Sequence, residues 1–295
     1  MRWQIDEQYS GLVIRDYLQK VHGFSRSILK AVKFDGGEIT VNGRRQTVRF
    51  VLSAGDELEI SLPREVVGEN LQPIEMDIAI IYEDEDIIVV DKPAGTPVMP
   101  SVNHPKYSIA NGLLAYYQKN DIPYTIHVVT RLDRDTSGLM LIAKHRLSHS
   151  LLAVSQKTGK VHRRYCAVVE GLLERKEGTI DLPIDRKKGS IIERTVAPEG
   201  KRAVTHYRLL SSHEQHSLAE VKLETGRTHQ IRVHFAHLGH PLAGDDLYGG
   251  STGLIGRQAL HCHQLVFNHP LTQEELSFTS MIPEEIAMLV NRQNS

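Results

Sequence analysis

The sequence predicts an α+β protein in two parts, a small basic module at the N-terminus and a larger body of strands with flanking helices. Three observations lead there. Apolar residues recur at helical spacing in several short stretches. Runs rich in Val and Ile, punctuated by Gly, Asn and Asp, mark strands and hairpins between them. A polar stretch from Pro63 to Pro73 separates the two parts and reads as a linker over residues 64–73. With 295 residues and 40% hydrophobic content, the chain can bury a large core in one to three domains.

In the first part, Ile14, Tyr17, Leu18 and Val21 share a helical face, and Ser25 is placed to cap a second helix over residues 26–33. Gly36-Gly37 stops that helix. Ile39 and Val41 lead into Asn42-Gly43, the mark of a tight hairpin, and Leu58-Glu59-Ile60 supplies a closing strand. From Arg15 to Arg49 eight basic residues face only Asp16, Asp35 and Glu38. The formal net charge of -1 hides this local excess, which suits a surface that tracks phosphates.

The second part begins acidic, with no basic residue from Glu69 to Asp91. Within it, Ile78–Tyr82 and Ile87–Val90 read as paired strands. Asp91-Lys92-Pro93-Ala94-Gly95 then leaves the sheet, and Lys92 reads as a surface charge. Helical spacing covers residues 109–117 and 147–154. Thr130-Arg131-Leu132-Asp133-Arg134-Asp135-Thr136-Ser137-Gly138 forms a polar turn that feeds a buried strand from Leu139. A rigid strand holding a charged loop is a common setting for chemistry. Here the charge reverses sign: from Arg131 to Arg164 eight basic residues surround only Asp133 and Asp135. A carboxylate in so positive a field is where an acidic group working on a polyanion is expected.

Further strands are expected over residues 163–171, 204–207, 218–223, 260–267 and 276–278, with a final helix over 283–290. The dense segment Glu224–Phe235 holds a helix from about Thr228, with Gln230 beside His234 and Arg232 near Phe235.

Taken together, Arg131–Gly138, Tyr165-x-Ala167-x-Val169-x-Gly171 and Thr225-Gly226-Arg227-Thr228-His229-Gln230-Ile231-Arg232-x-His234 resemble the successive signatures of the RluA-type pseudouridine synthases. Asp91–Gly95, Gly244-Asp245-x-x-Tyr248-Gly249 and Arg257–His261 extend the resemblance across about residues 75–282, in the family's order. Ser25-Arg26-Ser27, Val41-Asn42-Gly43 and Gly55-Asp56-Glu57-Leu58 resemble the small RNA-binding domain of ribosomal-protein-S4 type. The resemblance implies a mixed, mainly antiparallel central sheet with flanking helices over residues 74–295, and an S4-like domain over residues 1–63. It implies isomerisation of uridine to pseudouridine in structured RNA, ribosomal RNA above transfer RNA. The catalytic aspartate falls on Asp133, its arginine partner on Arg232, and the tyrosine that lies against the uracil and helps remove a proton on Tyr165. RNA contacts are expected from Arg131, Arg134, Thr136, Arg163, Arg227, His229 and Gln230, and from Arg26, Lys30, Arg44 and Arg45 in the first domain. The chain departs from the pattern at Thr130, where a histidine is usual, and at Arg163, where a lysine is usual.

This isomerisation needs no redox change, phosphate donor or metal, so no cofactor is expected. Sixteen histidines invite a zinc reading through His229, His234, His237, His240, His261 and His263, but no H-E-x-x-H or paired-cysteine motif accompanies them. Two cysteines give no disulfide framework, which points to a reducing cytoplasm. No apolar run reaches membrane-span length and Met1–Asp6 lacks a signal-peptide core, so no membrane association is expected; a monomer is expected as well. Two alternatives remain: an RNA-binding or ribosome-assembly protein without catalysis, and a hydrolase using Asp133 with Asp135.

Overall fold

The computed structural model describes residues 1–100 and 106–291. Residues 101–105 and 292–295, which the expected 74–295 unit includes, lie outside the described residues.

The first part comprises β1 (Arg2–Gln4), α1 (Ile14–Lys20), α2 (Arg26–Phe34), β2 (Glu38–Val41), β3 (Arg44–Arg45) and β4 (Glu57–Ser61). Its sheet runs β1-β4-β2-β3, with antiparallel neighbours. Ser25 caps α2, its Oγ accepting from the Ile28 amide at 3.2 Å. Ile28, Leu29 and Val32 pack into a core with Ile39, Val41, Leu58 and Ile60. Burying that face leaves Arg26 and Lys30 exposed, together with Arg44 and Arg45 on the hairpin. The turn is the tight kind that Asn42-Gly43 favours, both residues having positive φ. Asn42 also ties the hairpin to β4: its Nδ2 donates to Asp56 and its Oδ1 accepts from the Glu57 amide.

The second part runs β5 (Ala79–Glu83), β6 (Ile87–Lys92), α3 (Ile109–Lys119), β7 (His127–Val128), β8 (Ser137–Ala143) and α4 (Arg146–Lys157). It continues with β9 (His162–Glu170), β10 (Glu177–Asp181), β11 (Ile184–Arg186), β12 (Arg194–Val196), β13 (Val204–His213) and β14 (His216–Leu223). Then follow α5 (Gln230–His237), β15 (Leu260–Asn268), β16 (Glu275–Thr279) and α6 (Glu284–Asn291). The large sheet has the order β10-β13-β14-β9-β15-β8-β6-β5, with β16 on β15 and β7 on β8. All its pairings are antiparallel except β8 with β15, so the sheet is mixed and mainly antiparallel, as expected. β8 is buried along its whole length, which accounts for its continuous apolar run. The parallel contact requires Gly138: its φ is 113°, and a Cβ there would lie 2.3 Å from the Cys262 carbonyl oxygen.

The stretch expected as a linker has no helix or strand, but it is strapped to the second part. The Glu65 carboxylate, 2% exposed, takes the Arg146 backbone amide at 3.0 Å, the Arg146 Nε at 3.1 Å and His127 Nε2 at 2.5 Å. Further along, Asn111 Nδ2 donates to the Gln72 carbonyl and the Ile74 amide to the Asn111 carbonyl. The two parts also share apolar surface. Leu147, at the start of α4, is fully buried within the core of the first part, with Leu151 and Leu271 packed against it.

Burial alone would raise the Glu65 pKa, but the bonds and charge of His127 and the donors of Arg146 outweigh it and bring the pKa to about 2. A lowered carboxylate pKa contributes stability above the unfolded value of 4.5, lost as pH falls toward about 2. Glu65→Gln is therefore expected to lower stability in urea by about 2 kcal/mol at neutral pH. The gap to wild type should close as the pH falls through that window.

Candidate active site

β8 and the loop before it carry the Arg131–Thr136 motif to the floor of a cleft of about 1000 Å³. The Thr136 amide donates to the Asp133 carbonyl at 3.2 Å and closes the turn. Two buried cations fix this turn from behind. Lys92 Nζ donates to the carbonyls of Pro93 at 2.8 Å, Thr96 at 2.9 Å and Arg134 at 2.7 Å. Arg257 Nη1 donates to the Asp135 carbonyl at 3.1 Å, and its Nε bonds Glu285 on α6. Lys92 is 0% exposed, which corrects its reading as a surface charge. Burial draws its pKa down to about 7, opposed by Asp135 and Asp133, while three carbonyl acceptors make use of all three hydrogens of the ammonium.

The opposite side of the site is α5. His229 precedes it in a left-handed conformation, φ 57° and ψ 21°. Gln230 anchors the helix: its Oε1 accepts from the Thr225 hydroxyl and the Arg227 amide, and its Nε2 donates to the Val204 carbonyl and the Thr205 hydroxyl. His234 bonds the same hydroxyl through Nδ1 and the Leu182 carbonyl through Nε2. One turn of the helix lies between them, and on it Arg232 points at Asp133.

Arg232 reaches two carboxylates. Nε and Nη2 donate to Asp245 Oδ2 and Oδ1, both at 2.8 Å, in a fork whose two sides are 7% and 0% exposed. Nη1 donates to Asp133 Oδ2 at 3.3 Å. Burial opposes the Arg232 charge, but Asp245 and Asp133 raise its pKa above the ordinary value. The guanidinium also lies over the Tyr248 ring, 5.0 Å from its centroid. Tyr248 Oη accepts from the Arg194 amide and bonds His229 Nδ1 at 2.8 Å. His229 Nε2 then faces Asp133 at 4.0 Å, an arrangement that favours a hydrogen on Nε2. Burial lowers the His229 pKa against the pull of Asp133.

Asp133, a quarter exposed, opens to the cleft, and Tyr165 on β9 closes another wall. Burial holds the Tyr165 hydroxyl well above its usual pKa, partly offset by Arg163. Leu132, Val161, Ile231 and Leu260 make the wall apolar, while Arg131, Lys157, Arg163, Lys222, Arg227 and Arg232 face only Asp133 and Glu224. The cleft thus combines an apolar wall, which suits an unstacked base, with mostly basic charges, which suit phosphates.

The structure thus brings Asp133, Arg232 and Tyr165 together with Arg131, Arg163, Arg227 and His229. Thr136 and Gln230 also border the cleft, and both are buried and bonded to protein within it. Arg134 lies outside the lining and bonds Asp135 through Nε and Nη2. Asp135 is outside the lining too, so the hydrolase reading lacks its Asp133–Asp135 pair in the cleft. Arg26, Lys30, Arg44 and Arg45 stand on the first part, outside the cleft lining. Thr130 is 0% exposed and accepts from the Leu141 amide at 2.9 Å, so the substituted position supports β8. Sequence reasoning missed Asp245, Tyr248 and Lys92 as parts of the site, although all three stand in the quoted motifs. Among the described residues, the group able to hold a metal is Asp84, Asp86 and His269, outside the cleft lining. Burial disfavours the His269 charge, but Asp84 and Asp86 raise its pKa.

The profile of the family described as RNA pseudouridylate synthase matches residues 86–237. The "Uncharacterized RNA pseudouridine synthase YjbO" of Bacillus subtilis (strain 168) is 48% identical over 285 residues, spanning 96% of this chain and 100% of that protein. "Ribosomal large subunit pseudouridine synthase D" of Pseudomonas aeruginosa is 40% identical over 272 residues, 86% of this chain and 83% of that one. Among solved structures, "Human RNA Pseudouridylate Synthase Domain Containing 1" shares the fold, with a TM-score of 0.57 and 23% identity over 74% of this chain and 86% of that chain.

Asp245→Asn keeps the shape of the fork but replaces one acceptor oxygen by an amide that cannot take an Arg232 hydrogen. The single-turnover rate is expected to fall by about 100-fold, as for a displaced reacting group. RNA affinity should change little. Stability in urea should drop by about 3 kcal/mol, because a buried charge loses its partner.

Proposed function

The chain belongs to the RNA pseudouridylate synthase family, and on that premise we propose that Asp133 is the reacting carboxylate, Arg232 its orienting partner and Tyr165 the wall of the uracil site. The protein is an isomerase that converts uridine in RNA to pseudouridine. The target in this reading is ribosomal RNA in the cytoplasm, supported by relatives named for the large ribosomal subunit. Residues 1–63 serve as an S4-like RNA-binding domain, supported by the exposed Arg26, Lys30, Arg44 and Arg45 around one helix and one hairpin.

The observation that carries the reading is the bond between Asp133 and Arg232, 99 residues apart, at the floor of a basic cleft with an apolar wall. To make pseudouridine, the C–N glycosidic bond breaks, the ring turns in place, and it rejoins the sugar through C5. Attack on the sugar, attack on the ring and removal of a sugar proton all require a carboxylate held against the nucleotide, at its sugar or its base. A uridine reaches this carboxylate only after leaving its stack, and an apolar wall among basic charges offsets part of that cost. The chemistry balances without a redox partner or phosphate donor.

Pseudouridine mapping of total RNA from cells with and without the protein tests this reading. One or more ribosomal sites should disappear on deletion and return with wild type but not with Asp133→Asn. Full restoration by Asp133→Asn would remove Asp133 from the reaction, and loss confined to transfer RNA would replace the substrate class.

A further inference from the structure

Arg163 stands two residues before Tyr165 on β9, so both side chains emerge on the same face of the strand. Its Nη1 donates to the Tyr165 hydroxyl at 3.4 Å. Nη2 lies under the Thr225–Arg227 loop, where a methyl group on Gly226 would touch it at 3.4 Å. Its Nε is buried without a hydrogen-bond partner among the described residues, so the guanidinium has donor capacity that the folded protein does not use. The groups facing the Tyr165 hydroxyl are Arg163 from its own strand, the neutral Cys262 thiol from β15 and Asp133 from the loop before β8. Arg163 is the cation that favours negative charge on the tyrosine oxygen; burial, Cys262 and Asp133 all oppose it.

We propose that Arg163 is a positioning residue for the isomerisation, holding the Tyr165 hydroxyl against the ring and stabilising its oxygen as it accepts the C5 proton. The proposal rests on the reading of Tyr165 as the group that meets the rejoined uracil. After C5 bonds to the sugar it carries both that bond and its hydrogen, and N1 is doubly bonded to C6. Because burial favours the neutral hydroxyl, Tyr165 gives its own proton to water as it takes the one from C5, and Arg163 holds the negative charge that develops on its oxygen in between. The C5–H bond breaks, its electron pair forms the C5–C6 double bond, and the proton passes to the tyrosine oxygen. The pair displaced from the N1–C6 bond moves to N1, which takes a proton from water. A guanidinium suits this work because it stays charged at any working pH and can hold the oxygen while it also donates elsewhere.

The test follows pseudouridine formation with target RNA carrying hydrogen or deuterium at C5, across pH, for wild type, Arg163→Gln, Arg163→Lys and Tyr165→Phe. Arg163→Gln should slow turnover at neutral pH on the order of 10-fold to 100-fold, the usual range lost when acid–base assistance is weakened. It should also shift the rising limb of the pH profile upward and enlarge the deuterium effect, with Arg163→Lys restoring part of each. If Arg163→Gln changes only the KM for RNA, with the limb and deuterium effect of wild type, Arg163 is an RNA contact and the proposal is overturned. Tyr165→Phe separates the two readings. If it is inactive while Arg163→Gln keeps the wild-type limb, only the role of Arg163 fails. If it turns over as wild type does, the role of Tyr165 fails as well.

Discussion

Arg232 cannot sit where it does without Asp245. A guanidinium only 7% exposed is costly unless its hydrogens and its charge are met, and the fully buried Asp245 meets both through a two-point fork. The fork uses Nε and Nη2 and leaves Nη1 directed at Asp133. Orientation of the cleft carboxylate is thus set through a buried ion pair behind it. The helix beneath is fixed in turn by Gln230 and His234, which share the Thr205 hydroxyl at the start of β13. On the other side, Lys92 and Arg257 hold the carbonyls of Arg134 and Asp135, one on each side of the turn. Few of these groups contact the cleft, yet together they confine Asp133 to one geometry.

Local signals were the legible part of the fold. Ser25 capped its helix, Asn42-Gly43 made its hairpin, and the apolar runs of β6 and β8 became central strands. β1, β10, β11 and β12 were missed because they are three to five residues long and carry little apolar patterning. Tertiary hydrogen bonds decide them, and those have no local mark. The same limit applied within the site. Asp133, Arg232 and Tyr165 stood out through their motifs, whereas Lys92 read as a surface charge because its three carbonyl partners come together only on folding. Gln230 and Thr136 stand in the same motifs as Arg131 and Arg227, but they turn inward. A motif identifies positions under common constraint without separating those that touch the ligand from those that hold the frame.

The junction between the two parts was less visible still. The polar composition of residues 64–73 suggested a linker, but Glu65 takes four donors and helps hold the start of α4. On α4, Leu147 belongs to the core of the first part, while Ala153, Gln156 and Lys157 line the cleft further along. One helix therefore packs against the core of the first part at one end and lines the cleft at the other.

The central claim is that Asp133, held by Arg232, performs the chemistry and is not needed for binding. It is tested most directly by mixing excess Asp133→Asn protein with a target RNA and measuring bound RNA and pseudouridine in the same samples, beside wild type. The account predicts comparable binding and no detectable product from the variant. Product formed at the wild-type rate would contradict it.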